Sequence, residues 1–200
     1  MQDGDSGLVA GETIGIQELT DLALISSSND AAYELGASVG RMLGDQDPTE
    51  QFVAAMNIRA EELDLHSLTF NNTTGLDLSD AQAGAYGSAR DVSFLLEHII
   101  ENYPELLTAT TEETVRIYNE AGAYHDTSNT NRFVNEITSI IGSKTGYTDL
   151  AGGNLTIAFD GGLNRPIVVT VLGSSRDGRF NDVLTLTTAA QEAISNSTQP

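Results

Sequence analysis

Apolar residues at Ile16, Leu19, Leu22, Ala23 and Ile25 recur at the spacing that places side chains on one face of a helix. The pattern breaks at Ser26-Ser27-Ser28-Asn29-Asp30, whose short side-chain oxygens suit the free N–H groups of a helix start. A second helix is expected from there, carrying Ala31, Ala32 and Leu35 until Gly36 and Gly40 weaken it. A third is marked by Asp47 as N-cap, Pro48 at the first helical position and Glu50 completing a capping box, with Phe52, Val53, Met56, Ala60 and Leu63 on one face. The Gly-, Asn- and Asp-rich stretch from Asn71 to Gly87 reads as loop. Ser88 and Asp91 then form a capping box ahead of Val92, Leu95, Leu96, Ile99 and Ile100, and Pro104 stops that helix. The first half therefore reads as helical.

The period changes in the second half. Thr114 to Tyr118 reads as a short strand and Asn119 to Asn131 as a polar loop. Three β segments follow, Ile140 to Tyr147, Gly153 to Phe159 and Pro166 to Leu172, the last two separated by the turn-rich Asp160-Gly161-Gly162-Leu163-Asn164, which makes an antiparallel meander. Phe180 to Ile194 reads as a closing helix with Val183, Leu184, Leu186, Thr187, Ala190 and Ile194 inward, ahead of a frayed tail. Helices first and an antiparallel sheet later give an α+β class without internal repeats. One domain over 1–195 and a polar tail at 196–200 are expected.

Composition changes this picture mainly by exclusion. Nine Lys+Arg against 29 Asp+Glu leave a net charge of -20 and a pI near 4.1, which argues against nucleic acid and anionic membrane surfaces as partners. Lys144 is the sole lysine, and the acidic balance also fits a saline habitat. With no cysteine, disulfides, thiolate catalysis and Cys-based zinc sites are excluded. His66, His98 and His125 lack H-E-x-x-H spacing, so no metal is expected. Asp3-Gly4-Asp5-Ser6-Gly7 hints at a calcium loop, but Ile14 stands where its bidentate Glu belongs, and the segment reads as a turn. No apolar run reaches membrane-spanning length, and Met1 opens onto Gln2-Asp3-Gly4-Asp5 without an export signal.

Candidate chemistry rests on two short segments. Ser27-Ser28-Asn29 at a helix joint would alone be a cap, and Lys144-Thr145-Gly146 on a strand would alone be a surface lysine. Together they offer a proton relay, an amide anchor and a cationic holder for a carboxylate, the groups an acyl-transfer site needs beside its nucleophile. S-x-x-K with S-D-N and K-T-G is the signature of β-lactamases and penicillin-binding proteins, and these two segments resemble its second and third parts. Leu24 to Ala32 resembles the second-motif segment of the D-alanyl-D-alanine carboxypeptidases, continued by Phe52-Val53, Met56-Asn57, Phe70-Asn71 and Gly75-Leu76. Ile141 to Leu155 is similar to their third-motif strand, and Val171-Leu172-Gly173 and Arg179-Phe180 to their next strand and last helix.

The resemblance implies a penicillin-binding, β-lactamase-like fold, a helical subdomain beside an antiparallel sheet, incomplete at the N-terminus. It implies hydrolysis of the terminal D-Ala of peptidoglycan stem peptides through an acyl-enzyme, without a cofactor, by a protein working outside the cytoplasm and acylated by β-lactam antibiotics. Ser27 would relay protons and Asn29 would hold the substrate carbonyl. Lys144 would supply positive potential, Thr145 would bond the terminal carboxylate, and Gly146 would let substrate lie against the strand. The Tyr147 N–H would be an oxyanion donor, and Arg179 would help hold the carboxylate.

One departure stands out. The family's S-x-x-K nucleophile motif has no place here, since three residues before Lys144 stands Ile141. The expectation is a chain whose partner is an upstream segment carrying S-x-x-K, inactive by itself. A non-catalytic cell-wall binding homologue is the second reading. A β-lactamase-like hydrolase is the third, weakened because no E-x-x-L-N loop is present.

Overall fold

The structure, a computed structural model, describes residues 7–197; most of the Asp3–Gly7 turn lies outside the described residues. Helices α1 (Ile16–Ile25) and α2 (Asn29–Gly40) meet at the serine-rich joint, where the buried Ser28 Oγ accepts from the Ala31 N–H at 3.0 Å and caps α2. Gly40 serves a close approach, because a Cβ there would lie 1.8 Å from the Pro48 carbonyl oxygen at the start of α3 (Pro48–Glu62). Asp47 caps α3 by accepting from Thr49 N–H and Glu50 N–H, as the sequence predicts.

Two departures come from competing hydrogen bonds. The loop expected over 71–87 is closed at its base by a two-residue ladder of β1 (Thr69–Phe70) and β2 (Ala85–Tyr86). Asn57 on α3 fixes it, accepting from the Phe70 N–H and donating to the Phe70 C=O, both at 2.8 Å. At the start of α4 (Ala89–Asn102) Ser88 caps the Asp91 N–H at 3.2 Å, but the buried Asp91 carboxylate accepts instead from the Ser67 N–H and hydroxyl. That half of the expected box is a tether to the preceding loop. Pro104 stops α4 but opens a 3₁₀ segment, Pro104–Thr111.

The segment expected as a polar loop over 119–131 is half strand. β3 (Thr114–Tyr118) pairs with β4 (Tyr124–Ser128), whose alternation of exposed and buried positions was hidden by polar inward residues, His125 and Thr127. His125 Nε2 lies 2.6 Å from Glu12 Oε1, pinning the N-terminal segment to the hairpin. Hairpin and first helices share a small core of Leu19, Leu22, Ala31 and Ile117.

The meander forms as expected: β5 (Ile140–Thr148), β6 (Gly152–Asp160) and β7 (Pro166–Ser174) in that order, antiparallel, with Lys144 opposite Thr156. Leu155, Ile157 and Phe159 pack with Phe180 and Val183 of α5 (Gly178–Ser197), while Ala158 on the opposite face packs with Leu96 and Leu107. The sheet is thus covered on both sides, with β5 at its edge. Along α5, Val183 and Thr187 are buried as expected, but Leu186 is 47% exposed and faces solvent.

Candidate active site

The joint between α1 and α2 and the strand β5 converge. Lys144 Nζ donates to Ser27 Oγ at 2.7 Å, across 117 residues of sequence, and to the Thr145 C=O at 2.5 Å. Ser27 has a φ of 56°, the left-handed conformation that serine rarely adopts, while Ser28 beside it is held by the cap. This division leaves Ser27 turned to Lys144 and Ser28 structural. Asn29, in the first turn of α2, lines the same cleft.

Burial and the neighbouring Arg179 push Lys144 down to about 8, so that it loses its proton far more readily than an exposed lysine. Arg179 is 6% exposed in the first turn of α5 and donates to the Gly146 C=O at 2.5 Å. Gly146 itself is informative. A Cβ there would meet only Asn154 Cβ, at an ordinary 3.7 Å, so nothing within the protein demands glycine at that position. The strand edge at this position is therefore unobstructed by a side chain. Tyr147 is 41% exposed, with the Arg176 guanidinium 5.1 Å from its ring centre.

The cleft encloses about 1490 Å³. Four of the nine cations in this acidic chain, Arg132, Lys144, Arg176 and Arg179, line it. The lining carboxylates, Asp126 and Asp177, are paired with Arg116 and Arg132. A protein of net charge -20 thus presents a locally positive hollow, suited to an anionic ligand group. Among the described residues no cluster of three His, Asp or Glu is arranged to hold a metal.

Sequence reading missed the residues that lock the two motifs together. Thr130 donates its N–H to the Ile25 C=O at the end of α1, at 2.9 Å, and its hydroxyl lies 2.6 Å from Thr145 Oγ1. Asn129 donates to the Thr110 and Glu112 carbonyls, and the Thr110 hydroxyl accepts from the Ser143 N–H on β5. Asp77 accepts from the Leu150 N–H, tying the 71–87 loop to the turn after the third motif. The Asn129-Thr130-Asn131 run sits inside the stretch expected as polar loop, and nothing in its local pattern sets it apart.

The profile of the D-alanyl-D-alanine carboxypeptidase family (Peptidase_S11) matches residues 4–176. The chain is 31% identical over 180 residues to D-alanyl-D-alanine carboxypeptidase DacF of Bacillus subtilis, covering 89% of this chain and 43% of that protein. It is 33% identical over 177 residues to DacC of Escherichia coli, covering 88% and 40%. The chain therefore spans about two fifths of the length of these curated relatives. Among solved structures, ampicillin-bound penicillin-binding protein D2 of Listeria monocytogenes superposes with a TM-score of 0.73 at 26% identity, covering 90% of this chain and 73% of that one. A cysteine-to-alanine mutant of the Streptomyces K15 DD-transpeptidase, at 24% identity, shares the fold with a TM-score of 0.80, covering 95% and 73%. With both of its motifs on one cleft and the family profile running through them, the chain belongs to the D-alanyl-D-alanine carboxypeptidase family.

Proposed function

We propose that this chain supplies the second- and third-motif half of a serine D-Ala-D-Ala carboxypeptidase site that acts on peptidoglycan stem peptides outside the cytoplasm. The observation that carries the reading is the 2.7 Å contact between Lys144 and Ser27, which joins the two motifs on one cleft. In this reading the terminal carboxylate of the substrate lies against Thr145 and the Lys144–Arg179 cations, and Asn29 holds the amide carbonyl of the preceding residue. The Tyr147 N–H stabilises the developing oxyanion. Ser27, hydrogen-bonded to a lysine of lowered proton affinity, delivers the proton that the departing D-Ala amine requires. Water then hydrolyses the acyl-enzyme. β-Lactams would enter this cleft, a reading supported by the likeness to the ampicillin-bound and cefotaxime-bound forms of the Listeria penicillin-binding protein D2.

The acylated serine belongs to an S-x-x-K motif, and the single lysine of these 200 residues is committed to the third motif. The nucleophile would come from a separate segment seated against the apolar wall of the cleft, where Ala32, Phe70, Ala83 and Val92 lie. By itself the chain would not turn over peptide. The test joins an S-x-x-K segment from the Bacillus subtilis relative to the N-terminal side of the chain and measures D-Ala release from an N-acyl D-Ala-D-Ala peptide. Release is expected, with Lys144→Ala reducing it by about a hundredfold or more, as loss of preorganised charge does. Release indifferent to Lys144→Ala, or no release from a folded fusion, would contradict the reading.

A further inference from the structure

Three oxygens lie in a row behind the third motif: the Ile25 carbonyl, the Thr130 hydroxyl and the Thr145 hydroxyl. Thr130 Oγ1 is 3.2 Å from Ile25 O and 2.6 Å from Thr145 Oγ1. Each hydroxyl carries one proton, so the row has only two arrangements that fill the short contact. In the first, Thr145 donates to Thr130 and Thr130 donates to Ile25 O. Thr145 then presents only lone pairs to the cleft. In the second, Thr130 donates to Thr145, and the Thr145 proton is free to point outward.

A bound carboxylate accepts hydrogen bonds and donates none, so it is compatible only with the second arrangement. Switching costs little. The bond given up is the longer one, at 3.2 Å, and Ile25 O keeps the Thr130 N–H at 2.9 Å. In the switched state the chain Thr130 O–H to Thr145 O–H to carboxylate is polarised in one direction, which strengthens each link.

We infer that Thr130 is a positioning residue that sets the proton direction of Thr145 and thereby tunes this site for ligands ending in a free carboxylate. The inference rests on the proposed reading of the cleft as a D-Ala-D-Ala site. Thr130 touches no substrate atom in this account. It acts through Thr145, and through Ile25 it couples that hydroxyl to the end of α1, one residue before the serine joint.

The test titrates the intact chain with N-acyl-D-Ala-D-Ala and with its C-terminal amide, following binding by amide NMR shifts, and records the melting temperature of each variant. Thr130→Val removes the hydroxyl at nearly constant shape and should weaken the acid-ended ligand about fivefold, the worth of one hydrogen bond, with less than about a twofold change for the amide. Thr130→Ser should restore acid binding. Equal losses for acid and amide, or a valine variant that binds the acid as well as or better than the unchanged chain, would overturn the inference. Should Thr130→Val unfold, the serine variant decides: it must keep the acid-over-amide preference within about twofold, the spread below one hydrogen bond, and a lost preference refutes the role. Failure of the unchanged chain to bind either ligand would instead overturn the reading of the cleft, and this inference with it.

Discussion

At Lys144 two demands oppose each other. Acyl transfer calls for positive charge beside the reacting centre, yet burial and Arg179 drive the ammonium toward its neutral form, to about 8. The unfolded chain holds that proton to about pH 10.4. Below about pH 8 both states are protonated and the charge penalises folding in full; between about pH 8 and 10 the unfolded chain binds more protons, so stability rises with pH. Substituting Lys144→Met should abolish this rise in melting temperature, seen as the difference between the two pH profiles. In an active fusion kcat/KM should fall above about pH 8 as Lys144 loses its charge, and Lys144→Arg, which keeps its proton, should flatten that limb. Arg179 is expected to act on the ligand's carboxylate, so Arg179→Ala should lower turnover of an acid-ended peptide far more than of its amide. Equal losses would assign Arg179 to holding the Gly146 carbonyl alone.

Between elements, side-chain amides and carboxylates carry the connections. Asn57 spans from α3 to β1 with a donor and an acceptor on the same Phe70 peptide groups. Asn57→Ala should cost about 1–3 kcal/mol, because two part-buried backbone groups lose their partners, measurable as a lower urea midpoint with unchanged slope. Such links mark the limit of what was legible in the sequence. Helices α1 to α4 and the β5–β7 meander follow from hydrophobic period and capping residues, and both motifs were recognisable as local strings. The β4 strand was not, because its inward positions are His125, which is held by Glu12, and Thr127, where alternation would call for apolar side chains. Asp91 looked like half of a capping box but binds Ser67, 24 residues away. Thr130 matters only because the fold sets it between Ile25 and Thr145. Long-range polar pairing has no period to read.

For the molecule as a whole, a net charge of -20 and a cleft holding four of nine cations predict opposite responses to salt. Screening relieves repulsion among the carboxylates, so the melting temperature should rise between about 0.05 and 1 M salt, while affinity for an acid-ended ligand should fall over the same range. A flat or falling melting temperature would leave the acidity without this physical role. The central claim is that this chain holds relay, anchor and carboxylate holder but not the acylated serine. It is tested most directly by mass spectrometry after incubation with penicillin, on the chain alone and on the chain joined to an S-x-x-K segment. The account predicts no adduct on the chain alone and one penicilloyl group per molecule of the fusion, on the serine of the added segment. A stoichiometric adduct on Ser27, or on any other serine of the 200 residues, would contradict it.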